Sequence, residues 1–352
     1  MASFVLDYRL EGEPLQVVAK RLSYPEDNQS HSNSSIQELT LILTSGFGCV
    51  CELWLPTIKR LYQLQSQSRG SVHIRHVWII EWPNHGDAGM VNESTLKENF
   101  QDLLPLSHST LAIRGLIRSG LVDLKNSKLV GISHSAGIGA LLPVGLSISS
   151  EKEMIPYSAL IMVEPPLFHR SLLAVHDQYV AGRITIKNSQ PEVWPTIEDA
   201  MRWHKTRLPW KMWHPEALQV FSETHFRSLP TAYHSETEGV TPKTYKEQFA
   251  AGFKDAGSIL ECIDRLPSFC ASVPVHLIYG ARQDFWPKEL AKCIQEITRS
   301  YEPCLASITH VPEAGHFPPE ENPHGLATAI LRILRAQSPT EFEPEGSYCA
   351  PA

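Results

Sequence analysis

The sequence predicts an α/β fold: a mostly parallel central sheet with helices on both faces and a helical cap inserted late in the chain. Three observations carry this. Short apolar runs, each ending in a glycine-containing loop and followed by a helix-forming segment, recur along the chain, which is the pattern of a parallel sheet with crossover helices. One such unit, Lys128 to Ala140, turns from strand to helix through Ser133-His134-Ser135-Ala136-Gly137, a small-x-Ser-x-small cluster. The alternation then stops at Glu164-Pro165-Pro166 and resumes only at Val273.

The elements follow in order. Phe4 to Leu10 and Leu15 to Leu22 alternate apolar and polar residues around Glu11-Gly12-Glu13-Pro14 and read as a β-hairpin. After a polar loop, Leu39 to Thr44 is a buried-strand run ending in Ser45-Gly46-Phe47-Gly48, and Trp54 to Ile58 opens a helix. Val77 to Glu81 is the next strand and leads into Trp82-Pro83-Asn84-His85-Gly86-Asp87. Helices are expected over Leu96 to Leu104 and Thr110 to Ser119, then the strand into the serine turn, a helix over Ile138 to Leu142, and a strand over Ser158 to Val163.

From 165 to 268 the chain reads as mainly helical. Thr196-x-x-Asp199 resembles a capping box, and Thr241-Pro242 is expected to set proline at a first helical position. Four tryptophans crowd between Trp194 and Trp213, beside Met201 and Met212; they are expected to form the small core of this insertion, to line an apolar pocket beneath it, or both. Strand Val273 to Tyr279, helix Lys288 to Thr298, strand Leu305 to Thr309 and an amphipathic helix His324 to Leu334 complete the core. The expected division is a core over 1–164 and 269–338, a cap over 165–268, and a disordered Glu- and Pro-rich tail over 339–352.

Bulk properties narrow the function. The 352 residues carry a net charge of −7 without a basic block, which argues against nucleic acid or an anionic membrane surface as the main partner. Hydrophobic content of 42% and charged content of 20% are ordinary for a globular protein. No apolar run approaches membrane-span length, the N-terminus lacks a signal-peptide pattern, and the C-terminus is neither a peroxisomal tripeptide nor a prenylation site, so a cytoplasmic location is expected. Seven irregularly spaced cysteines read as free thiols. Cys49-Val50-Cys51 lacks a second Cys or His pair at zinc-ligand spacing, so no metal is expected there, and no cofactor is called for.

A serine hydroxyl needs a base within hydrogen-bond reach, an acid that orients the base, and donors for an oxyanion before it becomes a useful nucleophile. The chain supplies candidates for all of them, each just after a predicted strand and in the order serine, acid, histidine. The strand-Gly-Phe-Gly loop, the serine turn and the late Gly315-His316, taken together, resemble the α/β-hydrolase family from roughly Leu15 to Leu334. More narrowly, Trp78 to Asp87, Leu160 to Pro165 and Trp194 to Ala200 are similar to a fungal subgroup. That subgroup includes the yeast peroxisomal lipase, toxin-biosynthesis hydrolases and the acyl-CoA hydrolase of the mycophenolate pathway.

The resemblance implies an α/β-hydrolase fold with Ser135 as nucleophile and His316 as general base, ahead of His310 and His85; His134 is expected to pack beneath the turn, and His85 to bond backbone. Two carboxylates compete for the acid. Asp284 lies near the family's usual position after the strand ending at Tyr279, one residue later than typical, and could instead cap the next helix. Glu164 lies at the end of the strand after the serine turn, has the longer reach, and is preferred. The oxyanion donors implied are the backbone N–H groups of Phe47 and Ala136, with Ser45 where the family often has histidine. The activity implied is cleavage of a small-molecule carboxylic ester or thioester with an apolar or aromatic acyl group, in secondary or lipid metabolism. Acyl transfer or lactone chemistry on the same residues, or a ligand receptor with little turnover, are the alternatives.

Overall fold

Apolar runs without alternation become the centre of the sheet, because strands covered by helices on both faces bury every side chain. The computed structural model describes residues 1–7, 14–24, 36–67, 71–142 and 155–336. In it β1 (Ala2–Asp7) and β2 (Gln16–Ser23) pair antiparallel, with Val5 opposite Val18. The expected turn between them, the loop of 29–35 and the tail from 339 lie outside the described residues. β3 (Gln37–Thr44), α1 (Leu55–Ser66), β4 (Val72–Ile80), α2 (Gly86–Val91), α3 (Glu93–Asn99) and α4 (Ser107–Arg118) follow. Then come β5 (Lys128–His134), α5 (Ile138–Leu141) and β6 (Tyr157–Val163).

The inserted segment contains α6 (Leu173–Asn188), α7 (Ile197–Lys205), α8 (Pro215–Thr224), a short hairpin of β7 (Phe226–Ser228) and β8 (Val240–Pro242), and α9 (Lys246–Phe253). The chain closes with α10 (Ala256–Ser272), β9 (Val275–Gly280), α11 (Lys288–Tyr301), β10 (Ser307–Val311), α12 (Pro318–Glu321) and α13 (Pro323–Ala336).

The strands form one sheet in the order β1-β2-β4-β3-β5-β6-β9-β10. β2 is antiparallel to both β1 and β4, and every pair from β4 to β10 is parallel. The carboxyl ends of β3, β5, β6, β9 and β10 therefore emerge along one edge, where ligands of such sheets bind. Alternate residues of β3 face opposite layers. Leu39, Leu41 and Leu43 pack with Ile58 and Leu61 of α1 and Ile330 and Leu334 of α13. Ile42 faces the layer that holds Ile113 of α4 and Leu260 and Leu266 of α10. A third core lies in the insertion, where Trp194, Met201, Trp213 and Phe221 close on Val50 and Leu53.

The structure departs from the sequence expectations most at four points. Pro242 does not open a helix; it ends β8 opposite Phe226, a strand-end position where its missing N–H leaves no ladder bond unmade, and α9 begins only at Lys246. The helix expected to reach Leu104 ends at Asn99, and Leu104 N–H instead donates to Ala251 O of the insertion at 3.3 Å. β4 starts at Val72, five residues before the expected strand, because its first half pairs with Gln37 to Leu39 of β3. The insertion is mainly helical but carries the β7–β8 hairpin, and α10 near its end buries Ile259, Ile263 and Leu266 in the core under the sheet. Among the described residues no helix is long and apolar enough to cross a membrane, and all six described cysteines are free.

Candidate active site

The serine turn is built where β5 meets α5. Ser135 has φ +50°, the left-handed region that a non-glycine residue occupies only when its surroundings over-determine it. The surroundings are visible at two glycines. A Cβ on Gly137 would lie 2.7 Å from Thr44 Oγ1 and 3.0 Å from Ser45 O, and one on Gly46 would lie 3.1 Å from Ser135 Cβ. The end of β3 thus passes directly against the turn, and Thr44 Oγ1 donates to Gly137 O at 3.1 Å. This is why small residues are required there, and it holds the Ser135 side chain out at the sheet edge.

His316 arrives on the loop after β10. Its Nε2 lies 3.0 Å from Ser135 Oγ and its Nδ1 lies 3.1 Å from Glu164 Oε2. These partners set the tautomer: Nδ1–H donates to the carboxylate, which leaves Nε2 free to accept the serine proton. Glu164, the residue after β6, also has positive φ, +52°, and its second oxygen accepts the Gly280 N–H at 2.6 Å. Both side chains are buried. Burial lowers His316 to about 3, with the Arg183 charge adding to it. Burial likewise pushes Glu164 up from the ordinary carboxylate value, opposed by the Gly280 N–H. Phe285 stacks on the imidazole at 4.0 Å between centroids and 11° between planes, fixing the ring from its other side.

Asp284 makes no hydrogen bond to His316, although its charge reaches both His316 and Glu164. Its carboxylate pairs with Arg282 at 3.1 Å, its side chain is 45% exposed, and it does not cap α11, whose N-cap is Pro287. His310 is exposed on β10. His134 is buried beneath the turn and donates from Nε2 to His316 O at 2.8 Å, so it buttresses the loop that carries the imidazole. His85 accepts the Gly48 N–H at Nε2, 2.8 Å, while Nδ1 donates to Asn84 Oδ1 at 2.7 Å.

Phe47 and Ala136 line the same pocket as Ser135. The Phe47 loop is closed by Cys49 N–H donating to Gly46 O at 3.3 Å and by Trp82 Nε1–H donating to Ser45 O at 2.6 Å. Behind it lies a buried ionic group that the sequence did not announce. Lys20 Nζ bonds Glu52, meets Asp87 at 2.7 Å and lies 4.0 Å from Glu81; Glu81 in turn accepts the Cys51 N–H at 2.8 Å, and Lys243 reaches Asp87 at 2.6 Å. Cys51, Glu52 and Glu81 have ligand atoms within 4.8 Å of one another, but the Lys20 ammonium bonds into that cluster and supplies the cation. The only advance signal was the run of charged and turn residues from Glu81 to Asp87, which spacing alone does not connect to Lys20.

Over the serine the pocket encloses about 150 Å³ beneath the insertion. Trp210 and Trp213 both line it and pack in the third core, so the tryptophan cluster is core and pocket wall together; Met212 is exposed. Arg183 and Lys187 of α6 also line the pocket, two positions that the sequence reading passed over. Their signal was available as the spacing of Arg183, Ile186 and Lys187 on one helix face.

This architecture recurs in known proteins. The family model for the alpha/beta hydrolase family matches residues 41–329. A search of curated protein sequences returns no match. Among solved structures, the peroxisomal alpha-beta-hydrolase Lpx1 of Saccharomyces cerevisiae is similar at 14% identity and TM-score 0.67, covering 100% of this chain and 92% of its own. E-2-(acetamidomethylene)succinate hydrolase is similar at 13% identity and TM-score 0.64, with 95% and 98% covered. The thioesterase domain from the curacin biosynthetic pathway is similar at 18% identity and TM-score 0.57, with 94% and 99% covered. At these identities the structures share the fold, and the family match spans most of the chain: the protein belongs to the alpha/beta hydrolase family.

Proposed function

We propose that the protein is a serine hydrolase that cleaves a small-molecule carboxylic ester or thioester through an acyl-enzyme intermediate, with Ser135, His316 and Glu164 as the catalytic residues. The observation that carries this reading is the continuous chain from Ser135 Oγ through both imidazole nitrogens to the Glu164 carboxylate. As Oγ attacks the carbonyl carbon, His316 Nε2 takes its proton and Glu164 stabilises the imidazolium that forms. The N–H groups of Phe47 and Ala136 are the donors proposed for the tetrahedral oxyanion; losing one such donor costs about 3–4 kcal/mol of transition-state stabilisation. The imidazolium then protonates the leaving alcohol or thiol. Neutral again, it activates water, which attacks the acyl-enzyme and releases the acid.

The aromatic walls around Phe47, Trp213 and Phe285 suit an apolar or aromatic acyl group. The cavity of about 150 Å³ is below the ~300–1,000 Å³ usual for drug-sized ligands, so short acyl groups are the fitting probes. Turnover of short p-nitrophenyl acyl esters and matching thioesters by the wild type and by Ser135→Ala tests the reading. The variant is expected to lose activity by about 10³-fold or more, and equal rates would refute the assignment.

A further inference from the structure

Arg183 and Lys187 stand one turn apart on α6 and both line the pocket above Ser135. The guanidinium of Arg183 sits 5.1 Å from the centroid of Phe285, the ring that stacks on His316. The ammonium of Lys187 sits 5.9 Å from the centroid of Phe249, whose edge meets Gly48 of the Phe47 loop. One cation therefore stands toward the imidazole side of the serine and the other toward the oxyanion-loop side.

Among the described residues no carboxylate comes within ion-pair distance of either. Glu192, the acid that acts on Lys187 from a distance, is committed to Lys246, whose backbone N–H it accepts at 2.8 Å and whose Nζ it meets at 3.5 Å. Asp255, the carboxylate in the pocket wall, accepts the Leu106 N–H at 2.8 Å and the Ser258 N–H at 3.2 Å as the cap of α10. The pocket histidines His134, His176, His225 and His316 are all pushed toward the neutral form by burial. Lys187 is partly buried, and that burial lowers its ammonium from the ordinary value, with the Glu192 charge opposing it.

Two cations that line an aromatic-walled cavity with no ion-pair partner among the described residues favour an anion held there. We propose that the substrate carries an anionic oxyacid group, a carboxylate or a phosphate, which Arg183 and Lys187 hold in the pocket while the carbonyl is presented to Ser135. This rests on the reading of Ser135 as the nucleophile of a hydrolase, and it adds the class of substrate: an ester or thioester with an apolar or aromatic body and an anion. The aromatic faces of Phe285 and Phe249 lie beside the two cations and help hold the charged heads in place.

The test separates binding from turnover. In Ser135→Ala, tryptophan fluorescence reports occupancy through Trp210, Trp213 and Trp286 in the pocket wall. The probes are 3-phenylpropanoate, 3-phenylpropyl phosphate and the neutral 3-phenylpropan-1-ol. At least one anion is expected to bind about tenfold or more tightly than the alcohol, and the tighter of the two identifies the anion. Arg183→Gln and Lys187→Gln, singly and together, lower that ratio, so the test survives if the double variant fails to fold. Equal affinity for anions and alcohol, or a ratio the variants leave intact, overturns the inference. Wild-type hydrolysis of p-nitrophenyl hexanoate without any anion preference in binding removes the anionic subsite and leaves the reaction standing. An anion preference with neither ester turnover nor fluorophosphonate labelling of Ser135 supports the subsite and removes the reaction.

Discussion

Replacing Glu164 with glutamine changes one oxygen to an amide and leaves the volume intact, which makes its consequence calculable from the two bonds at that site. In the native arrangement one carboxylate oxygen accepts Gly280 N–H at 2.6 Å and the other accepts His316 Nδ1–H at 3.1 Å. A glutamine has one acceptor and one donor. If its oxygen keeps the Gly280 N–H, its NH₂ faces Nδ1, which must then become the acceptor. The proton moves to Nε2, and the imidazole can no longer take the Ser135 proton. The opposite flip keeps the tautomer but sets NH₂ against the Gly280 N–H, leaving a buried donor unmade at about 1–3 kcal/mol. Either way the negative charge that would stabilise the imidazolium is gone. Losing the oriented acid of such a relay costs up to about 10⁴ in rate, and the flip penalty alone about 10- to 100-fold. The expected loss in kcat/KM for Glu164→Gln is therefore about 10²–10⁴, with the melting temperature near wild type. Asp284→Asn, whose carboxylate serves Arg282 and is half exposed, is the control and retains most activity. Measuring both with a p-nitrophenyl ester decides the matter: more than a tenth of wild-type activity in Glu164→Gln, or an equal loss in Asp284→Asn, would refute the argument.

The remaining expectations concern stability. Lys20→Met leaves Glu52 and Glu81 buried without their cation, a loss of about 3–5 kcal/mol in urea unfolding; a loss under 1 kcal/mol would show that the ionic group does not hold the Cys51 segment. Burial lowers eight histidines in the fold, His76, His85, His134, His176, His204, His225, His276 and His316. Below pH ~6.5 the unfolded chain protonates them and the folded chain does not, so stability falls as pH drops. Glu81, Glu164, Glu320 and Glu321 are raised by burial and act in the opposite sense, since the fold binds their protons above the unfolded carboxylate value. Histidines outnumber them between pH ~4.5 and 6.5, and each net proton is worth ~1.4 kcal/mol per pH unit. Urea midpoints are expected to peak near pH ~6–7 and to fall on the acid side; midpoints that rise steadily down to pH ~5 would contradict this.

What the sequence determined by itself is what local pattern encodes. Apolar runs of β3, β5 and β6 and the glycine loops after them specify the parallel sheet, because burial on both faces and tight turns write themselves into consecutive residues. Ser135 was legible for the same reason: its turn is strained, and Gly137 two residues on is the local trace of β3 passing against it. The Thr196 cap of α7 was legible too, since its bond to Asp199 N spans only three residues. Where a role depends on residues far apart in the chain, spacing was silent. Asp284 and Glu164 both follow strands, and reach alone made Glu164 the preferred acid; the packing of the loop after β10 brings His316 Nδ1 to Glu164 and leaves Asp284 with Arg282. Pro242 looked like a helix start because the partner that makes it a strand end, Phe226, is supplied by the fold. The Lys20 group spans β2, the loop before α1, the end of β4 and α2, and the two cations of α6 share a pocket with Ser135 only because the insertion folds back over the sheet edge. Those positions were decided by tertiary structure, because charge pairing and substrate contact are properties of proximity in space, which local sequence does not specify.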